Sequence, residues 1–306
     1  MTVLITGATG LIGKSLTQAL LSRGIDVHYL TTRKSAIIKE KNNKGFFWNP
    51  KENEIDLDAF KNVTAIVHLA GATVAKRWTT AYKKEILDSR TNTAQVIFDA
   101  LQATENNVTH FISASGISIY PPSQSKLYTE ESPEVADDFL GNVVKAWETA
   151  ADTFSSLGID VAKVRTGVVL DEKEGAYPKM EKPIKMGVGA AIGSGNQYVS
   201  WIHLQDIVGI YEYILANRLD GVYNAVAPTP VKNETLTKKI AHHYGSNIWL
   251  PNVPGFALKL ALGEMATLAL EGQLVSPAKL QKTNFIFKHS NIESALVQLI
   301  SKKKDN

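Results

Sequence analysis

The stretch Gly7-Ala8-Thr9-Gly10-Leu11-Ile12-Gly13 has the residue types and spacing to hold a phosphate on backbone N–H groups. Gly7 permits a tight turn, Gly10 lets the backbone approach a pyrophosphate with no Cβ in the way, and Gly13 lets a following helix pack close to the preceding strand. The helix adds unpaired N–H groups and the positive end of its dipole. The spacing is G-x-x-G-x-x-G, unlike the G-x-G-x-x-G of many dehydrogenases, and no Gly-Lys-Ser/Thr closes the loop as in a P-loop. A second group, Thr31-Thr32-Arg33-Lys34, ends the next apolar run. NAD-specific sites place Asp or Glu there for the ribose 2′-hydroxyl. A hydroxyl and a guanidinium suit a 2′-phosphate instead, so this group predicts NADP(H). A third feature is Ser115, which ends an apolar run and offers a hydroxyl where catalysis sits in sheets of this kind.

Other chemistry is excluded or bland. No cysteine is present, which removes disulfides, thiolate metal sites and a cysteine nucleophile and is compatible with a cytoplasmic location. No metal site is expected: His242 and His243 are adjacent on a helix and point about 100° apart. His68 lies inside an apolar run and reads as a satisfied core histidine. A net charge of +3 over 306 residues gives no compositional support for a nucleic-acid or membrane-surface role. The lysine-rich close from Ser301 reads as a solvated terminus. The chain starts directly on a strand, so no signal peptide is expected. Residues 256–275 are apolar but carry Lys259, Glu264 and Glu271, and read as a core helix pair rather than a membrane span.

These groups need a scaffold, and the apolar pattern supplies one. Thr2-Val3-Leu4-Ile5-Thr6 reads as a buried parallel strand, and Ile12, Leu16, Ala19 and Leu20 mark one face of a helix that stops at Arg23-Gly24. Further strands are expected over 25–31, 46–48, 65–71, 108–115 and 161–165, with helices over 79–104 and 139–156. The strand over 65–71 ends in small residues where a cofactor backbone can pass. This alternation predicts an α/β fold with a doubly wound parallel sheet. From Gly175 the pattern loosens, with strands over 198–203 and 222–226. A nucleotide-binding domain is expected over 1–170, with its last strands drawn from 171–230, and a smaller substrate-side region over 171–306.

With Ser113-Ala114-Ser115, Arg165-Thr166-Gly167 and Ser200-Trp201-Ile202-His203-Leu204-Gln205-Asp206 added to the glycine turn, the chain resembles the extended short-chain dehydrogenase/reductases, the superfamily of the nucleotide-sugar epimerases. Within it the chain is similar to an atypical branch labelled "epimerase family protein". The similarity rests on Lys76-Arg77-Trp78, the segment from Lys84 to Arg90, Trp147-Glu148, Gly193-Ser194-Gly195, Leu262-Gly263-Glu264-Met265 and Leu270-Glu271-Gly272-Gln273. The resemblance implies a Rossmann domain binding NADP(H), with Gly7, Gly10, Leu11 and Ile12 at the pyrophosphate and Thr32 and Arg33 at the adenosine phosphate. It implies that Leu69 and Ala70 line the cofactor, that Glu85 and Arg90 approach it, and that a helical extension from about Pro251 covers a substrate cleft. The helices from Thr79 and Phe139 correspond to the pair used for homodimers in related folds; the oligomeric state stays open.

Ordinary members use a Tyr acid/base activated by a Lys one helical turn later. None of the ten tyrosines here is followed four residues on by lysine. The expected helix reads Phe139-Leu140-Gly141-Asn142-Val143-Val144-Lys145-Ala146-Trp147-Glu148, with Lys145 one position off, a rotation of about 100°. Ser115 matches the family's serine, and Tyr120 in the following loop is the other candidate acid. Two readings stay open. One is an NADP(H)-dependent oxidoreductase or epimerase acting on a small carbonyl or sugar-nucleotide substrate. The other is an NADP(H)-binding sensor or regulatory protein with little or no chemistry.

Overall fold

Thr2 to Thr6 are buried at every position and form the central strand β1 (Thr2–Thr6), as expected of a strand covered on both faces. The computed structural model describes the backbone of residues 1–304 and the side chains of residues 1–301. Most side chains of the lysine-rich close therefore lie outside the described residues. From β1 the chain runs through α1 (Leu11–Ser22), β2 (Asp26–Thr31), β3 (Asn43–Asn49), β4 (Glu54–Ile55), β5 (Val63–His68), α2 (Thr80–Ala103) and β6 (His110–Gly116). It continues through β7 (Leu127–Tyr128), α3 (Phe139–Asp152), β8 (Asp160–Thr166), β9 (Val168–Leu170), α4 (Tyr177–Lys185), β10 (Tyr198–Val199), β11 (Trp201–His203), α5 (Leu204–Asn217) and β12 (Gly221–Ala225). The last elements are β13 (Val231–Lys232), α6 (Asn233–His243), α7 (Gly255–Leu262), α8 (Thr267–Leu270), β14 (Leu274–Val275), α9 (Ala278–Lys282) and α10 (Ile292–Lys304).

The main sheet has the order β12-β8-β6-β5-β1-β2-β3-β4. Its neighbours are parallel except β3 and β4. Successive side chains of β1 serve opposite faces. Val3 and Ile5 meet Leu16 and Leu20 of α1 and Ile207, Tyr211 and Ile214 of α5. Leu4 joins Ala94, Ile97 and Leu101 of α2 and Ala151 of α3. The chain leaves β1 toward β2 on one side and enters β5 on the other, so the order of winding reverses between β1 and β5. Ligands of doubly wound sheets bind at such a reversal, outside the carboxyl ends of the strands. The outward positions of α2 and α3 include Lys84, Asn92, Gln95 and Asp99, and Asn142, Lys145 and Thr149, all polar.

Two segments differ from the sequence-based expectation. The strand over 198–203 is split at Ser200: β10 pairs antiparallel with β13, and β11 pairs parallel with β9. At the break the Ser200 hydroxyl donates to the Gln273 carbonyl (2.7 Å) and accepts the Val275 N–H (3.1 Å). The apolar residues 256–275 are not a core helix pair. Neither α7 nor α8 buries a side chain, and Phe256 and Leu260 are 76% and 83% exposed. The segment is attached by the buried side chains of Ala266 and Val275 and by backbone hydrogen bonds. Ser123 N–H donates to Gly272 O (3.0 Å), Gln197 Nε2 to Ala269 O (2.8 Å), and β14 pairs with β7.

Gly272 has no room for a side chain there, since a Cβ would lie 2.0 Å from the Tyr198 carbonyl oxygen. Gly272→Ala is expected to weaken attachment of the extension by about 1–3 kcal/mol, the usual penalty for overpacking. Hydrogen exchange of Leu274 and Val275 should then be roughly tenfold faster or more, with β1 and β5 unchanged. Equal protection of β14 in both proteins would show that the segment is held elsewhere.

Candidate functional site

The glycine turn joins β1 to α1 at the reversal point. Gly7 has φ +69°, and a Cβ there would lie 2.8 Å from the carbonyl carbon and oxygen of Leu69. A Cβ on Gly13 would lie 2.2 Å from Gly7 O. The turn is therefore closed on its inner side by contacts that only glycine permits. On its outer side it is open: the place of a Gly10 Cβ has only Gly7 O, at 3.3 Å, within 4 Å. Gly10 is the N-cap of α1, and no side chain caps that end. Leu11 and Ile12, both half-buried, begin the helix. An uncapped helix N-terminus facing open space fits a dinucleotide pyrophosphate.

His68 fixes the opposite wall. Thr6 Oγ1 accepts the N–H groups of Leu69 and Ala70 (3.1 Å each), so its own proton goes to His68 Nδ1 (2.8 Å). His68 Nε2 then donates to Thr93 Oγ1 (3.2 Å), whose hydroxyl donates to the backbone of α2. Burial pushes the His68 pKa down to about 4, which keeps the ring neutral. It is a satisfied core histidine whose bonds hold Leu69 and Ala70 against Gly7. Arg90 lies beneath the same loop, donating to Ile86 O (2.8 Å) and Ala72 O (3.2 Å), with its guanidinium 4.7 Å from the Trp147 ring centroid. Burial lowers its pKa to about 10. Glu85 stands exposed one turn earlier on α2. At the end of β2, beside β1, Thr32 and Arg33 are exposed, and no carboxylate takes their place.

The carboxyl edge of β6 departs from what the sequence suggests. Ser115 is 4% exposed, and its hydroxyl donates to Glu148 Oε1 (2.6 Å) rather than facing the cleft. Arg165 grips both oxygens of the same carboxylate, Nε to Oε1 and Nη2 to Oε2, each at 2.8 Å. Burial would push the Glu148 carboxyl up, but Arg165 and Ser115 hold it below the usual carboxylate range. Tyr120, the other candidate acid, lies in a buried setting. Tyr120 is 0% exposed, in an apolar cluster with Ile119, Tyr128, Val144 and Val275. Its hydroxyl accepts from Arg165 Nη1 (2.7 Å) and donates toward Asn224 Oδ1 (2.9 Å) or Thr129 O (3.0 Å). A cation does stand beside it, yet burial outweighs that cation and the phenol pKa is raised. Lys145 points outward, and α3 turns Val144, Trp147 and Glu148 inward. The Glu148–Arg165 pair was not read from sequence, although a charged residue ending the buried strand over 161–165 signals a need for a partner.

Among the described residues no group of His, Asp and Glu could hold a metal ion. Among the same residues no helix is long and apolar enough to cross a membrane. Comparison with known proteins follows the same lines. The model of the NAD dependent epimerase/dehydratase family matches residues 3–138, and that of a domain of unknown function (DUF1731) matches residues 253–299. The epimerase family protein YfhF of Bacillus subtilis (strain 168) is 35% identical over 305 residues, covering 99% of each chain. The chain belongs to the epimerase family. Another member of the epimerase family, SSP1921 of Staphylococcus saprophyticus, is 35% identical over 301 residues, covering 97% of this chain and 98% of that protein. Among solved structures, human epimerase family protein SDR39U1 (isoform2) with NADPH matches with a TM-score of 0.84 at 30% identity, over 98% of this chain and 99% of that one. The nucleoside-diphosphate sugar epimerase from Corynebacterium glutamicum gives a TM-score of 0.78 at 29% identity, over 98% of this chain and 57% of that one. The resemblance read from the sequence is thus borne out over the whole chain, and the extension is itself a recurring feature of the epimerase family.

Proposed function

We propose that this chain binds NADP(H) at the turn between β1 and α1 and acts as an oxidoreductase or epimerase-like protein on a small carbonyl or sugar-nucleotide substrate. The observation that carries the reading is the open, uncapped start of α1 at the reversal of the sheet, with Thr32 and Arg33 in place of an acid at the end of β2. The solved human relative with NADPH supports the choice of nucleotide. Gly7, Gly10, Leu11 and Ile12 would hold the pyrophosphate, Thr32 and Arg33 the 2′-phosphate, and Leu69 and Ala70 the far side of the nucleotide. The bound nucleotide would exchange a hydride with its substrate. Because α3 carries no Tyr and Lys pair and Ser115 is committed to Glu148, the substrate's proton must be handled by another group.

A second reading, an NADP(H)-binding sensor without turnover, is favoured by that same commitment of Ser115 and by the burial of Tyr120. Titration with NADPH and NADH, followed by tryptophan quenching, tests what the two readings share. Arg33→Glu should lower NADPH affinity about a hundredfold, the loss of one charge-assisted contact plus repulsion, and leave NADH near its original value. If the wild-type protein bound neither nucleotide, both readings would fall. Oxidation of bound NADPH by a panel of carbonyl and sugar-nucleotide compounds then separates enzyme from sensor.

A further inference from the structure

We propose that Tyr29 is the positioning residue that lets this site distinguish a 2′-phosphate from a 2′-hydroxyl; the inference rests on the NADP(H) reading above. Tyr29 lies in β2 and is 5% exposed. Its phenol leaves the sheet toward the loop that follows the same strand, where it donates to Ala36 O (2.7 Å) and accepts the Ile38 N–H (2.8 Å). A single hydroxyl therefore clamps the far side of the loop that begins at Thr32 and Arg33. The near side is tied by the Arg33 N–H to Thr31 Oγ1 (3.2 Å), and the turn between is closed by Ala36 N–H to Arg33 O (2.9 Å).

The opposing strand makes room for this arrangement. Gly45 of β3 is the register partner of Tyr29, and a Cβ at Gly45 would lie 2.6 Å from Cζ and the hydroxyl of the Tyr29 ring. Lys34 is steadied in turn over the Phe47 ring, 4.8 Å from its centroid. The clamped loop carries Thr32, Arg33, Lys34 and Ser35, two hydroxyls and two cations, all exposed at the carboxyl end of β2. Exposed cations on a mobile loop bind any anion weakly. Held in one geometry, they do not have to be ordered when the phosphate arrives, and the saved ordering entropy appears as selectivity.

NADPH and NADH differ only in that phosphate, so the effect can be read as a ratio. Tyr29→Phe keeps the ring and removes only the hydroxyl. NADPH affinity should fall about tenfold, as for the loss of two neutral hydrogen bonds. NADH affinity should stay unchanged, and 2′,5′-ADP should follow NADPH. Gly45→Ala disturbs the same phenol from the other side and should show the same selective loss. If the two variants lowered NADPH and NADH affinity equally, Tyr29 would be a structural residue and the proposal would be wrong. An unchanged ratio with unchanged affinities would overturn it as well. A wild-type protein that bound neither nucleotide would remove the NADP(H) reading and this proposal together, and that is seen before any variant is made.

Discussion

Arg165→Met is expected to lower folding stability by about 3–5 kcal/mol, the penalty for leaving one member of a buried ion pair alone. The Glu148 and Arg165 side chains are 10% and 11% exposed. Arg165 supplies two of the hydrogen bonds to that carboxylate and one to the Tyr120 hydroxyl. Methionine fills much of the volume but leaves Glu148 with only Ser115 as a partner. The double variant Glu148→Met with Arg165→Met should recover most of the loss, because replacing both charges removes the desolvation penalty along with the attraction. Urea unfolding of the single and double variants measures this. A single variant within about 1 kcal/mol of wild type would mean that the pair is solvated, contrary to its burial.

The pH dependence gives an independent reading of the same pair. In the folded wild-type protein the Glu148 pKa lies below its ordinary value, held there by Arg165 and Ser115 against the effect of burial. Its contribution to stability is therefore complete above the unfolded carboxylate pKa, about 4.3, and is lost as the pH falls through the lower folded value. Without Arg165, burial is opposed only by the Ser115 hydroxyl and the Lys163 charge, and the folded pKa of Glu148 moves above the unfolded one. The folded variant then takes up a proton that the unfolded chain does not, so its deficit should shrink between pH 7 and pH 5. Urea midpoints at those two values, compared with wild type, show whether the deficit depends on pH.

The glycine turn was legible in sequence because its constraints are local. Gly13 needs its lack of a side chain against Gly7 O, and both residues lie in one loop. The main strands were legible because Val3, Ile5, Ile66, Val67 and Ile112 are fully or almost fully buried, which leaves unbroken apolar runs. The surroundings of Tyr120 and Ser115 are not legible in sequence for one reason. Their partners Arg165 and Glu148 come from β8 and α3, and no spacing along the chain reveals such a meeting. The extension is not legible for another: Phe256 and Leu260 look like core residues in composition, but α7 buries none of its side chains, and burial depends on what covers a face.

Gly13→Ala is expected to lower NADPH affinity about a hundredfold and to destabilise the fold, whereas Gly10→Ala should mainly impair binding. At Gly13 the new methyl would meet backbone on every side: Gly7 O at 2.2 Å, Ala8 Cα at 2.7 Å and Gly7 C at 2.9 Å. Neither partner can retreat. Gly7 is already in the left-handed region, and its own position is pressed against the Leu69 backbone. The helix cannot slide outward either, because Leu16 and Leu20 are 0% and 1% exposed beneath it. The conflict must lift the first turn of α1 away from β1, at about 1–3 kcal/mol for overpacking. A shift of about 1 Å in the N–H groups that would receive the pyrophosphate is enough for roughly a hundredfold loss in function. At Gly10 the methyl meets one atom, Gly7 O at 3.3 Å, beside the uncapped helix end, so the fold loses far less stability than with Gly13→Ala and the nucleotide meets the obstruction. Thermal unfolding and NADPH titration of both variants separate the two roles. If Gly13→Ala retained wild-type affinity, the nucleotide would not be seated on this turn.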